Sequence, residues 1–137
     1  MALEILAPIS VGELFDKISI LEIKLERLDD PAKLSNVRHE LSLLEGIVAE
    51  SGITLTDEIR AVLPRLKSVN SAIWEAEDQI RNCERRGVFD DGFLSTARSI
   101  YRLNDARASA KRELNSLTSS SVVEEKSYSP YDQECLR

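Results

Sequence analysis

The sequence predicts an all-α fold, an antiparallel helical bundle of about four helices with an irregular C-terminal tail. Three observations point that way. Apolar residues recur at alternating steps of three and four along most of the chain. Each such stretch opens on a helix-capping residue and closes on glycine or a polar break. With 5 glycines and 4 prolines in 137 residues there are too few tight turns for a sandwich or barrel. The 42% hydrophobic residues suffice for a core and the 31% charged residues for a solvated surface, which excludes a disordered chain. The length suits one domain, divided here into a bundle over residues 1–117 and a non-helical tail over 118–137.

The first helix starts at Ser10-Val-Gly-Glu13, the spacing at which a serine oxygen takes the backbone N–H three residues on and the glutamate reaches back. Its apolar stripe is Leu14, Ile18, Leu21, Leu25 and Leu28. Phe15, Ile20 and Ile23 lie off that stripe, so this helix should be the most buried. Asp29-Asp30-Pro31 is a turn that supplies an N-cap and a proline at the first helical position. The second helix carries Leu34, Val37, Leu41, Leu44 and Val48 and stops at Gly52; its short link to the first makes the two an antiparallel hairpin.

Thr56 caps a third helix whose first acids, Asp57 and Glu58, suit the positive end of the helix dipole. Its stripe runs from Ile59 through Val62, Leu66, Val69, Ile73, Ala76 and Ile80 to Cys83, and Gly87 ends it. Pro64 falls inside this run and should either kink the helix or mark its true start. Asp90 or Asp91 caps a fourth helix reaching about Leu117, after which Thr-Ser-Ser-Ser breaks the period. Every stripe keeps close to 3.5-residue spacing, the rhythm of coiled-coil packing, and a second chain would complete such stripes as readily as the chain itself.

Several function classes drop out. No apolar run approaches the ~20 residues that cross a bilayer, and the start lacks the basic region and long apolar core of a signal peptide. A cytoplasmic protein with no membrane role is expected. Cys83 and Cys135 make neither a disulfide framework nor a metal site, and His39 is the one histidine. No cofactor or metal motif is present, and no phosphate-cradling glycine loop. The net charge of −6 argues against nucleic acid. That charge is uneven: residues 92–117 carry Arg98, Arg102, Arg107, Lys111 and Arg112 against Asp105 and Glu113, so an acidic body holds one basic helix.

Polar residues at helical spacing beside the core give the candidate site. On the third helix Asn70, Trp74, Glu77, Arg81 and Glu84 share a face; on the fourth Tyr101, Asn104, Ala108, Lys111 and Asn115 do, with Arg107 nearby. If these helices pair, the two faces would confront each other in a groove. The expected binding residues are Trp74, Glu77, Arg81, Tyr101, Asn104, Arg107, Lys111 and Asn115. Two readings stand. Glu77–Arg81 is an ordinary within-helix pair, and the asparagines, mediocre helix formers, would fix the register of the bundle. Alternatively the same groups bind an anionic small molecule. No catalytic set is legible.

The chain resembles a family of short bacterial and phage-borne proteins of unknown function. The resemblance rests on Ser10-Val-Gly-Glu-Leu-Phe-Asp-Lys-Ile-Ser-Ile-Leu-Glu-Ile-Lys24, Asn36-Val-Arg-His-Glu-Leu41 and Ile73-Trp-Glu-Ala-Glu-Asp-Gln-Ile-Arg81. It continues in Ala97-Arg-Ser-Ile-Tyr101, Asn104-Asp-Ala-Arg107, Lys111-Arg-Glu-Leu-Asn115 and Glu124-Glu-Lys-Ser-Tyr128. It implies an accessory role beside glycosyltransferase and surface-polysaccharide functions. It also implies that the tail docks, with Glu124 or Glu125 meeting the cations of the fourth helix and Tyr128 and Tyr131 packing over the groove. The expected function is therefore a non-catalytic helical interaction module, acting through a protein partner or self-association. The alternative is a protein or enzyme that binds an anionic metabolite or sugar nucleotide between the third and fourth helices.

Overall fold

A computed structural model describes residues 2–131. Four helices follow one another with no strand among the described residues: α1 (Val11–Arg27), α2 (Pro31–Glu50), α3 (Asp57–Arg86) and α4 (Asp91–Thr118). The caps are local chemistry. The side chains of Ser10, Asp30, Thr56 and Asp90 each accept a backbone N–H of the first turn, from Glu13, Ala32, Ile59 and Phe93. Gly87 closes α3 at φ +66°, a left-handed conformation that a side chain would strain.

Pro64 does not mark the start of α3. The helix begins at Asp57 and runs continuously through the proline, which is exposed. Pro64 offers no N–H to the carbonyl of Arg60, and both residues are exposed.

The bundle is uneven. α1 is its centre: it lies against α2, α3 and α4, whereas α2 packs closely against α1 alone. Leu14, Phe15, Ile18 and Leu21 of α1 meet Val37 and Leu41 of α2, Ile59, Val62 and Leu66 of α3, and Ala110 and Leu114 of α4. Contacts from Gly12 to Asn115 and from Asp16 to Arg107 show α4 running antiparallel to α1. α3 and α4, of 30 and 28 residues, outrun the 17-residue α1 by roughly 15–20 Å. The far half of their hairpin is thus a two-helix arm, joined by Thr96 donating to Gln79 at 3.2 Å and tipped by the edge-to-face rings of Phe89 and Phe93.

Candidate functional site

The site grows from one face of α1. Gly12, Asp16 and Ser19 follow at steps of four and three, so they line up on one side of α1, and all three are buried. Asp16 is wholly buried. A carboxylate there is stable only if its oxygens are hydrogen-bonded and its charge matched. Arg107 of α4 supplies both: Nε donates to Oδ1 at 2.9 Å and to Oδ2 at 3.1 Å, and Nη2 donates to Oδ2 at 2.5 Å. Asn70 of α3 completes the shell, its amide donating to Asp16 Oδ1 at 2.9 Å and to Ser19 Oγ at 2.7 Å. Ser19 in turn donates to the backbone carbonyl of Asp16 at 2.8 Å. One carboxylate thereby ties three helices together. The hydrogen bonds to Asp16 raise the pKa of Arg107 above its ordinary value, against the opposing effect of burial.

One turn toward the N-terminus, α1 meets α4 and the tail. Gly12 N–H donates to Asn115 Oδ1 at 2.7 Å, and Glu13 accepts from Lys111 at 2.5 Å. Ser119, in the left-handed conformation at φ 52°, turns the chain off α4, and Ser120 N–H donates to the carbonyl of Asn115 at 2.9 Å. Ser120 Oγ then accepts Val11 N–H at 3.2 Å. The three N–H groups that open α1 are thus taken by Ser120, Asn115 and Ser10. Glu124 seats its carboxylate here, accepting from the Ser10 hydroxyl and, at 3.3 Å, from the Asn115 amide. Desolvation pushes the Glu124 carboxyl up, but hydrogen bonds from Ser10, its own backbone and Asn115, with the charge of Lys111, hold it below the usual carboxylate range. No buried side-chain nitrogen or oxygen among the described residues lacks a partner.

Beyond Glu124 the tail runs along α4 and leaves a groove of about 700 Å³ between them. Lys126 pairs with Asp105 at 2.5 Å, and Arg112 with Glu125 at 3.6 Å. The rings of Tyr101 and Tyr131 meet edge to face at 4.8 Å. Hydrogen bonding and charge from Arg98, with Arg102 behind it, hold the Tyr101 phenol below its ordinary range.

The eight binding residues expected from sequence divide into two groups. Tyr101, Asn104, Arg107, Lys111 and Asn115 all line this groove. Trp74, Glu77 and Arg81 do not, and no residue of α3 does. Trp74 lies under the Arg27 guanidinium at 5.9 Å, beside an Arg27–Glu75 pair at 2.5 Å. Arg81 pairs with Glu77 at 3.4 Å on the outside of α3. The groove is therefore bounded by α4 and the tail, not by α3 and α4. Of the four tail residues, Glu124, Glu125, Tyr128 and Tyr131 all line it. Asp16, Gly12 and Ser19 are not among the residues expected from sequence; their helical spacing within the most buried helix is the available signal.

A family model described as a family of unknown function, DUF6165, matches residues 5–133. The chain belongs to DUF6165. The match spans all four helices and the tail as far as residue 133 of the DUF6165 chain. No curated protein and no solved structure shows significant similarity to this DUF6165 chain. No helix among the described residues is long and apolar enough to cross a membrane.

Proposed function

We propose that this DUF6165 protein is a non-catalytic helical interaction module that serves, in the cytoplasm, as an accessory to enzymes of bacterial surface-glycan synthesis. The observation that carries the interaction reading is the segment over residues 2–9. It has no helical structure, it leads into the anchored Ser10, and it holds Leu3, Ile5 and Leu6 at 88%, 80% and 83% exposure. Large aliphatic side chains kept in water are a reservoir of binding energy, about 1.5–3 kcal/mol each when buried. An extended apolar segment also carries unpaired backbone groups, the means by which peptides add to a partner's sheet edge or groove. The glycan setting rests on the resemblance of the sequence strings and not on geometry. The heptad rhythm of the α3–α4 arm supports coiled-coil pairing as a second contact with the same partner.

The test is a tagged full-length chain and a variant lacking residues 2–9, each expressed in a native host, with captured proteins identified by mass spectrometry. The reading expects a glycosyltransferase or polysaccharide-synthesis enzyme in the full-length capture alone, and equal melting temperatures for both chains. A capture that contains no such enzyme, or that is unchanged by the deletion, would overturn it. Light scattering on the purified chain separates self-association from binding to a different protein.

A further inference from the structure

The heptad lines of α3 and α4 outrun the helix that covers them. On α3 Ile59, Leu66, Ile73 and Ile80 follow at sevens, and on α4 Phe93, Ile100, Arg107 and Leu114 do, so each set lies along one side of its helix. α1 covers the near half of both lines: Ile59, Leu66 and Leu114 share its core, and Arg107 grips Asp16. α1 then ends at Arg27, which lies against Trp74 and Glu75. In an antiparallel pair joined at Gln79 and Thr96, Ile100 stands level with Glu75 and Phe93 with Asn82. Ile80 and Phe93 therefore lie beyond the end of α1, with Ile73 and Ile100 at its edge. All four stay half-buried. No residue of α4 before Ala110 is buried, and on α3 past Asn70 the buried ones are Ala76 and Cys83. Val88, Phe89 and Leu94 add exposed apolar surface toward the tip. The apolar seat of α1 thus continues along the arm, past the helix that fills it.

An occupant of this seat has to be as short as the uncovered stretch and nearly neutral. The α4 border of the stripe, Thr96, Ala97, Leu103 and Asn104, is uncharged. The α3 border and outer edge hold Glu77, Asp78, Arg81, Glu84 and Arg85, one acid in excess. Glu75, Arg86, Asp91, Arg98 and Arg102 fall on the opposite side of the arm by the same spacing. A second copy turned end for end meets both needs. Its own arm has the required length, and its tip comes to rest at the end of α1. The middle of the stretch between Glu75 and Gly87 is Arg81, so a two-fold axis across the arm falls there. About that axis Glu77 stands opposite Arg85 of the second copy, and Arg85 opposite its Glu77. Arg81 keeps Glu77 and Glu84 on either side within its own helix. The exposed Leu94, level with Arg81, meets its own counterpart. Length and charge choose the same axis. A two-fold along the arm is excluded, because the body of each copy would occupy the place of the other's α1.

We infer that the α3–α4 arm is a dimerisation surface, on which two copies pair end for end in a four-helix bundle centred on Arg81 and Leu94. On the arm a second copy thus takes the place of a partner's helix. Residues 2–9 lie at the far ends of such a dimer and stay free for the interaction reading, on which the dimer does not depend.

Sedimentation equilibrium on the purified full-length chain, from about 1 to about 200 μM, is the test. The overlap is short, so a monomer–dimer equilibrium with a Kd of about 10 μM is expected. Ile80→Glu should give a monomer throughout, with the helical content of the parent by circular dichroism. Glu77→Arg and Arg85→Glu should each raise the Kd about tenfold, and the two together should restore it to within about threefold. Within one helix these residues stand about 12 Å apart, too far to pair, so the rescue reports contact between copies. Deleting residues 2–9 should leave the Kd unchanged. A chain still monomeric at about 200 μM, a dimer that survives Ile80→Glu, a double variant no tighter than either single one, or a dimer lost with residues 2–9 would each overturn the inference.

Discussion

Gly12 and Lys111 bring α1 and α4 into backbone-to-backbone contact: a methyl group placed on Gly12 would stand 2.3 Å from the Lys111 carbonyl oxygen and 2.9 Å from Asn115 Oδ1. A carbonyl inside a helix cannot swing aside as a side chain does, so the helices would have to part. Gly12→Ala is expected to destabilise the fold by about 1–3 kcal/mol, measured by urea unfolding. Gly46 is the control. It sits exposed in α2 with nothing within 4 Å of an added methyl, so Gly46→Ala should stabilise by about 0.5–1 kcal/mol. Equal effects at the two sites would contradict the close approach.

Asp16→Asn keeps the size of the buried group and removes its charge. Arg107, half-buried against it, then loses its counter-ion, and a loss of about 3–5 kcal/mol is expected. Combined with Arg107→Gln, the two changes should be less than additive, with a coupling of about 1–3 kcal/mol in a double-mutant cycle. Strict additivity would mean that the pair is not a unit.

The tail is expected to respond to acid. Glu124 titrates lower in the folded chain than its ordinary 4.5, so its contribution is complete above that value and is lost as pH falls through 4.5 toward the lower folded value. Amide exchange over residues 120–131, followed from neutral pH downward, should rise in that range before the helices open. Glu124→Gln should remove this step, because the neutral amide has no proton to gain. Protection that stays level down to global unfolding would refute the mechanism.

Ending the chain after Leu117 should lower stability by about 1–3 kcal/mol. It strips partners from the buried Ser10 hydroxyl, the Asn115 amide and Val11 N–H. An unchanged melting temperature would show that the tail does not support the bundle.

Pro64 offers a gain. It is exposed and interior to α3, so Pro64→Ala restores an N–H to the ladder without disturbing the core. A rise of about 1–3 kcal/mol is expected in chemical denaturation, from the difference in helix propensity.

Local chemistry was the most legible part of this sequence. Ser10, Asp30, Thr56 and Asp90 cap helices because a short polar side chain reaches the next turn whatever surrounds it. The stripes of α1 and α3 fall where the core lies, since periodicity reports which residues share a face. It does not report which element covers that face. The stripe Tyr101, Asn104, Ala108, Lys111 and Asn115 was read as turned toward Trp74, Glu77 and Arg81, yet the tail lies over it. Ala110 and Leu114, on another side of α4, are the ones that enter the core with α1 and α3. Asp16 was missed for a related reason. An acid among apolar residues reads as the solvent side of its helix, and partners 54 and 91 positions away, Asn70 and Arg107, make burial the better state.

The same separation orders events during synthesis. α1 leaves the ribosome with Asp16 still without its counter-ion, and at about 5–20 residues per second Arg107 follows it roughly 5 to 20 s later. Ser10 waits longer still, for a carboxylate 114 residues downstream. α1 thus emerges before the residues that complete it, and a chain broken off before residue 124 carries an open centre. Whether translation reached residue 124 is written into the packing of residue 10.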